Sequence, residues 1–526
     1  DGAFNHTSYD YSSWTFRKAP GFFDIVTWTG DNDTNRAISH SLGSTPGMII
    51  VKNTSNSFDW SVWHTSLWDT TNYYSLKLNS SAAKNGWNAF WSVSAPTSSN
   101  FYVRSNGANV SGQTYVAYVF AHDDQSFGEA KNASVIKCGS YVGNGSSTGP
   151  EINLGWEPQW ILLKNTASEE NWFLWDSMRG IVTSGTDSQL HPNTTGSENS
   201  SHNRIDLTST GFKVVSNDGS LNESGATIIY TCLRRSDGYV GKPIEDATKC
   251  FAMDTGSGSS TIPNFDSGFP VDFTFMKKPA SSSNWFTYAR LTQKFELVLN
   301  STAAQGGASD YTFDSNVGWG KGGDSSDWQS FMFKRHAGFD VVTYAGRQGG
   351  ATVMNLNHNL GVIPEMIIIK KRNNNGMWAV YHKGVNGGTN PEQYMMQIDA
   401  NAQEDQPTFM NDTAPTATVF TVGSMSSVND SGDDYIAYLF SSIEGISKVG
   451  SYTGNGSATA RTITLGFQPR FLIVKRTDDT NAWVVFDTTR TWGSGNDYHL
   501  SLNTISAQVE SQDIGAPTST GFTLNT

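Results

Sequence analysis

Short unbroken apolar runs, each closed by a lysine, recur five times along the chain: Met48-Ile49-Ile50-Val51-Lys52, Trp160-Ile161-Leu162-Leu163-Lys164, Phe273-Thr274-Phe275-Met276-Lys277, Met366-Ile367-Ile368-Ile369-Lys370 and Phe471-Leu472-Ile473-Val474-Lys475. Runs this short, bounded by Pro and a charge, predict strands buried on both faces, since a buried helix needs about 10–12 residues. A strand centred on tryptophan follows each run, at Trp60, Trp172, Trp285, Trp378 and Trp483. Alternation in Trp60-Ser61-Val62-Trp63 and Trp378-Ala379-Val380-Tyr381 suits a strand with one face inward. Around this pair each unit carries an opening strand, a Gly-rich turn, a second strand ended by Pro, variable loops and a closing aromatic strand. The expected fold class is therefore all-β: tandem antiparallel β-sandwich domains arranged as an elongated rod, each sandwich filled by its own tryptophan.

Self-comparison sets the units in register. Gly139 through Ser146 returns as Gly450 through Ser457, 311 residues on, and the same shift carries Trp172 onto Trp483, Asp176 onto Asp487 and Arg179 onto Arg490. A shift of 318 takes His40-Ser41-Leu42-Gly43 to His358-Asn359-Leu360-Gly361, Trp60 to Trp378 and His64 to His382. Three shorter units fill each long period. The predicted domains are residues 1–18, the end of a preceding repeat, because Trp14-Thr15-Phe16-Arg17-Lys18 matches Phe331-Met332-Phe333-Lys334-Arg335; then 19–128, 129–247, a divergent 248–335, 336–444 (like the first full repeat) and 445–526 (like the second, without its closing strand). On this reading the sequence is a stretch of a longer repeat array.

Composition agrees with a β protein and narrows its partners. Only 16% of the 526 residues are charged, 51 are Gly and 12% are aromatic, a mixture rich in turn formers and large apolar side chains. The formal net charge is −13, with no basic run, which argues against nucleic acid. No apolar stretch is long enough to predict a membrane-inserted helix. Cys138, Cys232 and Cys250 cannot all pair with one another. A bridge between Cys138 and Cys232 is sterically conceivable, but buried thiols are expected.

Candidate chemistry is sparse. His40, His358, His64 and His382 recur at equivalent places, which fits structural hydrogen bonds. Asp176/Arg179 recurs as Asp487/Arg490 and reads as a loop clamp held by a forked ion pair. The acidic loops Asp31–Asn35, Asn429–Asp434 and Asp478–Asn481 offer oxygens of the kind Ca²⁺ takes, without EF-hand spacing; Asx turns account for them as well. No catalytic, cofactor or metal residue is assigned, and no enzyme activity is expected. Sequons such as Asn79-Ser80-Ser81, Asn300-Ser301-Thr302 and Asn455-Gly456-Ser457 are frequent, as chance predicts for this composition. The candidate binding residues are Trp68 and Trp87, which align with Asn386 and Gln406, so the fold does not require either ring. An exposed indole can stack on a sugar face or plug a partner surface.

Trp14 through Val26, His358 through Lys370 and Gly139 through Pro158 resemble repeat domains of large tail-fibre or appendage proteins of marine bacteriophages, cyanophages included. The resemblance covers nearly the whole chain. It departs most in the third repeat, where Asp254-Thr255-Gly256-Ser257-Gly258 replaces the Tyr-x-Gly-Asn-Gly turn. It implies a location on the virion surface, attachment to a host glycan or protein, contact with other virion proteins and a homo-oligomer, guessed to be a trimer. Alternatives are a structural spacer or capsid decoration, a bacterial surface adhesin, and a polysaccharide depolymerase, for which paired carboxylates are missing.

Overall fold

The computed structural model describes residues 6, 9–69, 71–86, 90–105, 107–127, 131–235, 241–244, 246–258, 262–307, 311–320, 323–347, 353–398, 403–456, 461–493 and 495–525. The chain is all-β, with antiparallel pairing throughout its named strands and only short helical turns. The five Lys-ended runs form the strands Pro46–Asn53, Pro158–Asn165, Phe273–Lys277, Met366–Lys371 and Phe471–Val474.

The fourth repeat shows the plan most fully. Its main sheet places Met366–Lys371 between Trp378–His382 and the closing strand Asp434–Phe440, and that closing strand also pairs with Phe339–Ala345. A small second sheet, Met354–Asn357 against Val419–Val422, covers one face. Between them lies a core of Ile367, Ile369, Ala379, Tyr381, Tyr435, Ala437, Leu439 and Phe420. The period-2 alternation of a strand sends the intervening residues Trp378, Val380, Ile436 and Tyr438 to the opposite face, where they are equally buried.

That opposite face meets neighbouring repeats. Trp285, Phe331, Phe275, Trp378, Tyr438, Trp483, Val485 and Leu500 share one cluster. The third repeat keeps a separate core of its own around Phe265, Tyr288, Trp319 and Met332, and the fifth around Phe486, Trp492 and Phe522. The expectation that each sandwich is filled by its recurring tryptophan is thus corrected. Trp172 and Trp378 start their strands, and Trp60, Trp285 and Trp483 immediately precede theirs, on the face turned toward sister repeats. Trp63, Trp175 and Tyr381 do part of the work of filling the individual sandwiches.

The fifth repeat departs from the second in an instructive way. In the second, Thr227–Arg234 is the central strand between Pro158–Asn165 and Ile136–Val142. No counterpart of that strand occurs in this sequence after the fifth repeat's Gly521–Leu524. Gly450–Gly456, the copy of Gly139–Gly145, accordingly forms no strand, and Phe471–Val474 is only half-buried. The cysteines are free and buried. Cys138 sits opposite Thr231, so Cys232, one residue along, faces the other side of the sheet.

Candidate functional site: the inter-repeat joints and the cleft beside them

The recurring Lys and Trp act together as a joint. Lys164 is fully buried, and its ammonium donates to the carbonyls of Ser81 (3.0 Å) and Glu170 (2.6 Å), while Trp172 Nε1 donates to Lys77 O at 2.8 Å. Lys370 donates to Thr302 O (2.9 Å), and Trp378 Nε1 to Val298 O (3.0 Å). Lys277 donates to Ile505 O (3.0 Å), and Trp285 Nε1 to Ser501 O (2.8 Å). Trp483 Nε1 donates to Gln397 O at 2.9 Å. A backbone bond completes each joint, from Lys84, Gln305, Gln508 and Gln403 N–H to the carbonyls of Thr166, Arg372, Pro279 and Thr477. Burial pushes the Lys164 and Lys277 ammonium groups down to about 8.

These joints define a cycle. The fourth repeat docks on the third, the fifth on the fourth, and the third on the fifth, so three consecutive repeats close on one another around an aromatic centre. Phe273–Tyr438 (4.3 Å between ring centroids), Phe331–Phe471 (5.3 Å) and Phe333–Phe339 (5.3 Å) are among its contacts.

A second set of polar groups ties the second repeat to this trio. Arg335, 2% exposed in its side chain, bridges Glu157 (2.7 Å) and Asp340 (2.8 Å), and Asp272 takes Arg235 (2.7 Å) and Arg290 (3.3 Å). Burial pushes the Glu157 carboxyl up against the pull of Arg335. For Asp272 burial also pushes upward, but the three arginines outweigh it and hold the carboxyl below its ordinary range.

The residues singled out in the sequence mostly serve the framework. Asp176 accepts the Met178 and Arg179 N–H groups and pairs with Arg179 Nε at 2.6 Å, and Asp487 repeats this with Thr489 and Arg490. His64 accepts Ser66 N–H on Nδ1 and places Nε2 3.0 Å from Tyr230 O in the next repeat. His382 accepts Gly384 N–H, and His358 accepts Leu360 N–H. Burial pulls His64 and His382 down to about 4, so both rings are neutral at pH 7. In the acidic loops, Asp31 and Asp33 cap Asx turns, Asp433 pairs with Lys371 at 2.5 Å, and Asp478 pairs with Arg476 at 2.7 Å. Among the described residues no group of three His, Cys, Asp or Glu side chains is placed to hold a metal ion.

Trp68 ends the short helical turn Thr65–Leu67 and is 37% exposed. Trp87 lies outside the described residues. Sequence reasoning missed a cleft of about 380 Å³ where the first repeat, the second repeat and the fourth converge. Asp123, Lys137, Trp156, Arg234 and Asn359 line it, together with the Glu157 that Arg335 holds. Asp123 and Lys137 stand 3.5 Å apart, and Asn359 Nδ2 donates to Ser209 O at 2.8 Å. A mix of acid, ammonium, amide and indole in a concave site suits a polyhydroxyl ligand. These residues are about 235 apart at the extremes, so no sequence spacing announced them.

The fold and joints define a class: an all-β protein whose repeated modules bury a second core between them. The chain belongs to the family described as a domain of unknown function (DUF7483), whose profile matches residues 5–236 and 323–526. The two matched stretches start 318 residues apart, the same spacing as the repeat, and leave out most of the divergent third repeat. No curated protein matches the chain.

Proposed function

We propose that this protein is a non-enzymatic component of a bacteriophage virion surface, part of a tail fibre or appendage that contributes to host-cell attachment. The observation that carries the reading is the joint. The Lys, Trp and backbone groups that recur most faithfully are consumed in fastening modules to one another, as a load-carrying multi-module body requires. What varies between modules, Trp68 and the cleft beside Trp156 included, is left for recognition of a host glycan or protein. Many weak sites on repeated copies raise avidity without any strong one.

The test is adsorption of the purified chain to host cells, with Trp68→Ala and Asn359→Ala variants alongside. Binding that falls in either variant while the thermal transition stays put supports the proposal. Binding to no host that the intact particle adsorbs to overturns it. The recurrent use of polar groups in joints also favours a structural spacer or decoration role. Gold labelling next to the capsid or tail hub, away from host contact, selects that reading, and release of reducing sugar from host capsule would instead mark a depolymerase.

A further inference from the structure

Among the described residues, one copy of the joint has no occupant. Lys52, Trp60 and the Thr54 carbonyl are the first repeat's counterparts of Lys370, Trp378 and the Arg372 carbonyl, 318 residues on. Within the repeat the two sets agree: Lys52 stands 5.8 Å from the Trp60 ring centroid, and Lys370 stands 5.9 Å from that of Trp378. Lys52 also donates to its own Phe58 O, as Lys370 does to its own Gly376 O. Beyond the repeat they part. Lys370 and Trp378 are fully buried on the third repeat, whereas Lys52 and Trp60 are half-buried and, among the described residues, no acceptor stands at Trp60 Nε1.

Residues 14–18, which form no strand, occupy a place that the third repeat also fills. Phe16 packs against Phe23 (5.4 Å), Phe120 (5.6 Å, edge-on) and Trp160 (6.2 Å, edge-on). Phe333, in the third repeat's closing strand, packs against Phe339 (5.3 Å), Phe440 (6.2 Å, edge-on) and Phe471 (6.4 Å, edge-on). Lys18 pairs with Asp24 at 2.7 Å where Arg335 pairs with Asp340 at 2.8 Å. Residues 14–18 thus hold the place that the third repeat's final strand holds in the closed trio.

We infer that the Lys52–Trp60 face is the socket for a further module of the third-repeat type, carried on the same polypeptide immediately ahead of residues 14–18 and closing the first and second repeats into a trio like that of the third, fourth and fifth. Continuity with the four filled joints selects this occupant over an unrelated domain. The inference stands whether or not the protein serves host attachment.

The test compares the free chain with the chain in its native assembly by hydroxyl-radical footprinting of Trp60 and acylation of Lys52. In the free chain both react, while Trp378 and Lys370 are protected. In the assembly, Trp60 oxidation falls to the level of Trp378, and cross-links from Lys52 run to a β module of this repeat type. A Trp60 as reactive in the assembly as in the free chain overturns the inference, as does a Lys52 cross-linked to a domain of another fold. A second measurement extends the full chain by placing a copy of residues 248–330 ahead of Trp14 in place of residues 1–13. Trp60 protection supports the socket. An added module whose own Trp319 counterpart is protected, beside an unprotected Trp60, refutes it.

Discussion

Replacing Trp285 separates a joint residue from a module-core residue. Its ring is fully buried, 5.7 Å from the Phe275 centroid and 6.1 Å from Phe331, and its N–H reaches Ser501 O at 2.8 Å. Truncation of a buried Trp to Ala costs about 3–5 kcal/mol. The orphaned Ser501 carbonyl adds about 1 kcal/mol or more. Trp285→Ala is therefore expected to cost about 4–6 kcal/mol, and Trp285→Phe, which keeps most of the bulk and loses the bond, about 1–2 kcal/mol. The location of the loss matters more than its size. Native-state hydrogen exchange read by mass spectrometry should show Trp285→Phe speeding exchange in Asp497–Ser501 of the fifth repeat, with Gly318–Trp319 in the third repeat's own core unchanged. Trp319→Phe, which removes a bond to Ser330 Oγ within that core, should do the reverse. If Trp285→Phe leaves Asp497–Ser501 protected and loosens only Gly318–Trp319, the shared-core account fails.

Arg335→Met strands Glu157 and Asp340 in the interior and should cost about 3–5 kcal/mol in urea denaturation, with Glu157→Gln in the same chain restoring part of it. Lys18→Met removes the equivalent pair where the lysine is 58% exposed, and should cost no more than about 1 kcal/mol. Burial holds His64, His336 and His382 at about 4 against an ordinary 6.5, so the unfolded chain binds more protons across that window. Each site then withdraws about 3 kcal/mol of stability as pH falls from about 6.5 to about 4. Buried Asp187 and half-buried Asp206, pushed up to about 7 and about 6, work in the opposite sense, so the check is site-resolved. Imidazole proton NMR should find these three rings neutral at about pH 5.5, and folded-state titration near 6.5 would refute it. Gly211→Ala places a Cβ 1.9 Å from Ile152 O, as Gly521→Ala does at Ile463 O. Each should lose about 1–3 kcal/mol, measured by thermal unfolding, with exchange rising in the small sheet of its own repeat.

Much of this was legible in the residues. The Lys-ended apolar runs located the main-sheet strands, because a strand covered on both faces must be apolar at every position, and their shortness excluded helices. The repeat shifts paired Lys52 with Lys370 and Trp60 with Trp378 before any contact was known. The Asp–Arg clamp was readable because both partners lie within one turn of chain. The cleft was not, since Asp123, Trp156 and Asn359 come together only when the first, second and fourth repeats pack.

By itself the sequence determined the all-β class and the burial of Trp172, Trp285, Trp378 and Trp483, which depend on local periodicity and side-chain type, whereas Trp60 is half-buried. Tertiary structure alone decided which core those tryptophans fill. Alternation tells that Trp378 and Tyr381 lie on opposite faces of one strand; it does not tell which face meets the small sheet and which meets another repeat, because both are apolar. That choice is made by partners far away in the chain, Val298 for Trp378 and Ser501 for Trp285, and a hydrogen bond to a backbone carbonyl leaves no mark on the identity of the residue that supplies it.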